Sequence, residues 1–181
     1  MTKTIQVVVV TALLLALGSG IAVAATVGGT VGKDDLRGTK GADGITALAG
    51  NDFLDGRGGD DTLNGNGGRD LVFGGPGDDR IFGGSGDDAS RHVFVGLMGG
   101  AGDDVISGGG GDDVIVGGTD RDVLKGGTGD DYFGSTSGES YDEPGSTDRI
   151  SCGPGFDTVS ADRADIVADD CEDVVFPNDA N

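Results

Sequence analysis

Aspartates recur along this chain at a fixed beat. Asp34, Asp43, Asp52, Asp61, Asp70, Asp79 and Asp88 stand nine residues apart. After a gap of sixteen, the same step links Asp104, Asp113, Asp122 and Asp131. A carboxylate is a hard oxygen donor, and an evenly spaced series suits a hard cation better than a reaction centre. Acid–base or nucleophilic catalysis needs a few groups of different type held together. The single histidine, His92, has no partner at a spacing that builds a catalytic set, and it is expected to face solvent. One His and two Cys disfavour zinc. The net charge of −20 excludes nucleic acid as a partner, because phosphates need basic patches. Anionic membrane surfaces are disfavoured for the same reason, and cations are the natural counterpart.

The residues around each Asp indicate what positions it. Gly99-Gly100-Ala101-Gly102-Asp103-Asp104-Val105-Ile106-Ser107 is followed directly by Gly108-Gly109-Gly110-Gly111-Asp112-Asp113-Val114-Ile115-Val116. Counted from its first Gly, the unit has Gly at position 4, Asp at position 6 and a large apolar residue at position 8. A short strand over positions 7 to 9 turns position 8 inward and its neighbours outward. Glycines at positions 1, 2 and 4 allow a tight turn. Two units then form one coil, and coils stack about 4.8 Å apart. The expected fold is all-β: a right-handed parallel β-roll, or β-solenoid, of nonapeptide repeats, with two repeats per coil and calcium in the turns. Stacking sets Asp34, Asp52, Asp70 and Asp88 in one column and Asp43, Asp61 and Asp79 in the opposite one. Beyond the gap, Asp104 pairs with Asp122 and Asp113 with Asp131. Carboxylates about 5 Å apart repel unless a cation lies between them. Calcium takes several carboxylate and carbonyl oxygens at about 2.3–2.6 Å, whereas magnesium demands strict octahedral geometry. The acids at position 5 (Asp60, Asp78, Asp87, Asp103, Asp112 and Asp130) are expected to point to solvent.

Iterated Gly-Gly-x-Gly-x-Asp-x-Ile units at 99–106 and 108–115, with Gly74-Gly75-Pro76-Gly77-Asp78-Asp79-Arg80-Ile81, resemble the hemolysin-type calcium-binding repeats of the repeats-in-toxin (RTX) family. The resemblance is strong over 34–133 and weak over 148–175. It implies that position 6 carboxylates and turn carbonyls bind calcium between same-side turns. That carries over to Asp43, Asp52, Asp61, Asp70, Asp79, Asp88, Asp104, Asp113, Asp122 and Asp131. Asp34 is left out because its turn lacks paired glycines. About eight ions are expected, at extracellular calcium levels. Two departures stand out: family members often leave the cell by a C-terminal signal, and their repeats often accompany a protease, lipase or toxin domain. Neither feature is expected here. The functional expectation is a secreted calcium-ion-binding repeat protein that folds on binding calcium, a structural or binding module and not an enzyme. The alternatives are an accessory module of an extracellular polysaccharide-modifying or hydrolytic enzyme, or a calcium-dependent adhesin. An ice-binding face would need ranked outward Thr, and Thr46 and Thr62 are scattered.

The remaining stretches set boundaries. Lys3, an apolar run from Ile5 to Leu17 and the small residues Ala22-Val23-Ala24 read as a cleaved secretory signal over 1–25. The apolar run is too short for a membrane span. Residues 26–134 form the repeat roll. The interval from Asp88 to Asp104 reads as one repeat shortened by two residues, with Val95 or Leu97 facing inward. On that reading the outward position 7 residues of one sheet are Phe53, Leu71, Ala89, Val105 and Val123. Residues 135–147 form a loop. Asp148, Asp157, Asp165 and Asp173 mark degenerate coils over 148–176, and 177–181 is a tail. Cys152 and Cys171, about one coil apart, favour an intramolecular disulfide over an intermolecular link or a redox pair. The expected partners are calcium and an extracellular protein or polysaccharide.

Overall fold

The structure, a computed structural model, describes residues 24–89, 95–134 and 146–176 and the backbone of Val9–Ala12. Every described regular element is a strand. The strands alternate between two sheets. One runs through Ala25–Gly28, Gly44–Thr46, Thr62–Gly68, Arg80–Ser85, Val105–Gly110, Val123–Thr128, Arg149–Ser151 and Ile166–Val167. The other runs through Asp35–Arg37, Phe53–Asp55, Leu71–Pro76, Leu97–Ala101, Val114–Thr119, Tyr132–Phe133, Thr158–Ser160 and Asp173–Val175. All these neighbours pair in parallel, as a β-roll requires. Val9–Ala12, within the segment read as a signal, instead lies antiparallel on Ala25–Gly28 and covers that sheet edge. No described helix is long and apolar enough to cross a membrane.

The core is one side chain thick. Leu36, Ile45, Leu54, Leu63, Val72, Ile81, Leu97, Ile106, Ile115, Leu124 and Phe133 occupy position 8 of successive half-coils, each buried. Each contributes roughly 1.5–3 kcal/mol, well below the chain entropy lost by ordering a whole unit. Apolar burial alone therefore cannot hold this fold.

Two intervals differ from the sequence expectation. Asp79 and Asp104 pair across 25 residues where other column neighbours are 18 apart, so the coil carries seven extra residues. Leu97 pairs with Val72 and Ile115, which makes it position 8 of the Asp88 unit. There is no shortened repeat: seven additional residues separate Asp88 from its strand. A unit of seven could not supply both a six-residue turn and a strand, whereas an insertion of that length costs little loop entropy. The insertion exchanges the columns. Asp104 follows Asp79, not Asp88, and Val105 and Val123 align with Arg80. Phe53 and Leu71 align instead with Val114 and Tyr132, so the expected outward column does not form. His92 lies outside the described residues. The second interval behaves alike: Asp131 pairs with Asp157 across 26 residues, with the excess falling where a loop was expected.

The expected disulfide joins Cys152 to Cys171, with Cα atoms 5.2 Å apart. It ties two neighbouring coils at the C-terminal end of the roll. Replacing both cysteines by serine is expected to lower stability by roughly 3 kcal/mol, the loop-closure value for this separation. Denaturant unfolding in saturating calcium reads it, and an unchanged midpoint contradicts it. Leu48 holds φ at +87° with its side chain half exposed. Leu48→Gly is expected to raise stability by about 0.5–1 kcal/mol, since the relief of left-handed strain exceeds the added chain entropy. A lowered unfolding midpoint would show that no strain resides there.

Candidate metal centre

Each half-coil from Asp34 to Asp157 ends its turn on a buried Asp. Asp52, Asp61, Asp70, Asp79, Asp88, Asp104, Asp113, Asp122 and Asp131 expose no more than 2 % of their surface. One oxygen of each has an assigned role. Asp52 Oδ1 accepts the backbone N–H of Asp34 at 2.7 Å, Asp70 Oδ1 that of Asp52 at 2.8 Å, and Asp88 Oδ1 that of Asp70 at 2.8 Å. In the opposite column Asp61 serves Asp43, Asp79 serves Asp61, Asp104 serves Asp79 and Asp122 serves Asp104. The first column continues with Asp113 serving Asp88 and Asp131 serving Asp113. From Asp52 to Asp131, every position 6 carboxylate therefore reaches to the preceding coil on its own side. All ten sequence-predicted residues lie in these two columns.

The second oxygen is what makes the site. Oδ2 of Asp52, Asp61, Asp70, Asp79, Asp88, Asp104, Asp113 and Asp131 is buried and accepts no hydrogen bond. A buried polar atom without a partner costs about 1–3 kcal/mol, more when charged. Eight such atoms in two rows indicate a site built for a cation and not eight separate defects. The surroundings are oxygen-rich. A Cβ on Gly108 would meet Asp113 Oδ2 and, at 2.7 Å, the Gly126 carbonyl. A Cβ on Gly83 would likewise meet Asp88 Oδ2 and the Gly108 carbonyl at 2.6 Å. Among the described residues no three His, Cys, Asp or Glu cluster as a metal cage. An ion must complete its shell with carbonyls, which suits calcium and excludes a zinc-type set.

The turn conformation that aims these groups is not a glycine property alone. Position 2 is left-handed at Gly75, Gly84, Gly100, Gly109, Gly118 and Gly127, and equally at Leu48, Arg57 and Asn66, with φ between +70° and +131°. The stacked turns force these three side chains into a conformation that single residues normally avoid. The first two turns differ. Thr30 and Thr39 occupy position 2 and are not left-handed. The Thr30 N–H donates to Asp34 Oδ2 at 2.6 Å, and the Thr39 N–H donates to Asp43 Oδ2. The Thr39 hydroxyl also donates to Asp43 Oδ1 at 3.1 Å. Asp43, expected among the metal ligands, thus has both oxygens hydrogen-bonded.

Two groups play parts that the sequence reading did not assign to them. Asp148 and Asp157 are buried and extend the columns, accepting the N–H groups of Asp122 and Asp131 at 2.8 Å each. The position 5 acids form a ladder of opposite sense: the N–H groups of Asp78, Asp103 and Arg121 donate to the carboxylates of Asp60, Asp78 and Asp103 in the preceding coil. They face solvent largely as expected, and in addition they tie neighbouring coils together.

The model of the RTX calcium-binding nonapeptide repeat (4 copies) matches this chain at residues 28–63, 55–89, 97–124 and 107–139, together more than half of its length. No curated protein matches it.

Burial dominates the titration of the columns. It pushes Asp61, Asp70 and Asp113 up to about 6, Asp79, Asp104 and Asp131 to about 7 and Asp88 to about 8, opposed in part by the N–H each accepts. These lie above the unfolded value of about 3.9, so the calcium-free roll takes up protons on folding. Its stability is therefore gained as pH falls through about 8 to 6 and lost as pH rises. In chelator, β-structure is expected to increase from pH 8 to pH 5, read by far-UV circular dichroism. A decrease over that range contradicts the account.

Proposed function

The chain belongs to the family of RTX calcium-binding nonapeptide repeats, and on that premise we propose that it is a secreted β-roll that folds on meeting extracellular calcium and serves as a structural or binding module without catalysis. The observation that carries this reading is the double row of buried, unpartnered Oδ2 atoms. Asp52, Asp61, Asp70, Asp79, Asp88, Asp104, Asp113, Asp122 and Asp131 hold the ions, about eight in number, with the carbonyls of the intervening turns. Bound calcium supplies the positive charge and the ligand those oxygens lack. The protein supplies alignment: each Oδ1 is fixed by an N–H of the preceding coil, which leaves Oδ2 directed along the turns.

Without the ion, stacked carboxylates within a chain of charge −20 oppose closure of the coils. With it, binding energy becomes folding energy. Secretion is supported by the charged, apolar and small-residue order of the N-terminus and by the disulfide, which persists in oxidising compartments. Calcium is scarce inside cells, so folding follows export. The partner is an extracellular protein or a polysaccharide.

In chelator at pH 7.5 the far-UV spectrum is expected to be that of coil, and in millimolar calcium that of β-structure. Indistinguishable spectra under the two conditions would refute coupled folding.

A further inference from the structure

The unpartnered Oδ2 atoms do not coincide with the recognisable repeats. Asp157 lies beyond residue 139, where the family match ends. It is fully buried, and its Oδ2 is as unpartnered as those of the repeats. Its turn, Cys152-Gly153-Pro154-Gly155-Phe156-Asp157, stacks on Gly126–Asp131 in the repeat register. A Cβ on Gly153 would strike the Gly127 carbonyl, as one on Gly127 would strike that of Gly109. Gly153 is left-handed at φ +102°. On the far side, Glu172 takes the place of the next Asp: its Oε2 accepts the Asp157 N–H at 2.9 Å. Asp170 accepts the Cys152 N–H at 3.3 Å. The disulfide fixes position 1 of this turn to the outer coil.

Three other turns are closed. Asp34 and Asp43 have Oδ2 occupied by Thr30 and Thr39. In the opposite column at the C-terminal end, Asp165 Oδ2 accepts the Asp162 N–H at 2.8 Å. The cause at the N-terminal end is steric. A β-branched residue resists φ > 0 more than Leu, Arg or Asn does, so Thr at position 2 turns its N–H toward the carboxylate. A hydrogen bond then satisfies the oxygen that a metal would otherwise need.

We propose that the calcium array runs past the last recognisable repeat to a further ion held by Asp157 in the turn 152–157, and that it excludes the first two turns, which Thr30 and Thr39 close without metal. This rests on the reading of the Asp turns as calcium sites. The roll thereby has a metal-independent N-terminal end and a C-terminal site braced by the Cys152–Cys171 bridge. Asp43 becomes a structural residue and Asp157 a ligand.

Native mass spectrometry of the full, disulfide-bonded chain in saturating calcium counts the ions. Asp157→Asn is expected to hold one ion fewer than the parent with an unchanged β spectrum, and Asp43→Asn to hold the parental number. Thr39→Gly is expected to open its turn and gain an ion. A parental count for Asp157→Asn, or a lost ion for Asp43→Asn, overturns the proposal while leaving the other sites standing. A parent chain that binds no calcium overturns the underlying reading as well. Should Asp157→Asn not fold, Glu172→Gln keeps the acceptor for the Asp157 N–H. It is expected to weaken one ion about tenfold, and parental affinity for every ion overturns the proposal.

Discussion

The structure depends on a carboxylate that is only half satisfied. Eight interior aspartates, Asp52, Asp61, Asp70, Asp79, Asp88, Asp104, Asp113 and Asp131, each give one oxygen to a backbone N–H of the preceding coil and bury the other without a partner. The first contact sets the register of the stack. The second makes the stack unfavourable as it stands, because an uncompensated buried charge costs more than one buried side chain per unit returns. Hydrophobic burial, turn geometry and electrostatics thus meet at one residue type. A cation or a proton resolves the conflict, and this is why the columns titrate near neutral pH and not near 4.

Much of this was legible in the sequence. The nine-residue beat placed every position 6 Asp and position 8 core residue outside the two long intervals. The two intervals were not legible in the same way. Sixteen residues between Asp88 and Asp104 resemble two periods less two, and equally one period plus seven. Only the pairing of Leu97 with Val72 decides between them. Because a half-coil shifts all that follows to the opposite sheet, that ambiguity exchanged the outward faces of the second half.

Other features lay in the sequence but needed stereochemistry to be read. Missing glycines at position 2 suggest a weakened turn, yet Leu48, Arg57 and Asn66 adopt the left-handed conformation all the same. The relevant distinction is branching at Cβ, which sets Thr30 and Thr39 apart. Asp157 sits in a Gly-Pro-Gly-x-Asp run, and the sequence marks it only as part of a degenerate coil, because its burial and its unpartnered oxygen depend on the coils stacked on either side. The opposed direction of the position 5 ladder has no sequence signal, since it depends on which neighbouring coil each N–H faces.

Calorimetric titration of the calcium-free chain tests the central claim most directly, since it returns stoichiometry and heat capacity together. The account predicts about eight ions per chain, with a large negative heat-capacity change from coils closing as they bind. One or two ions, or binding without a heat-capacity change, would contradict the claim that the buried carboxylates are the sites and that filling them folds the roll.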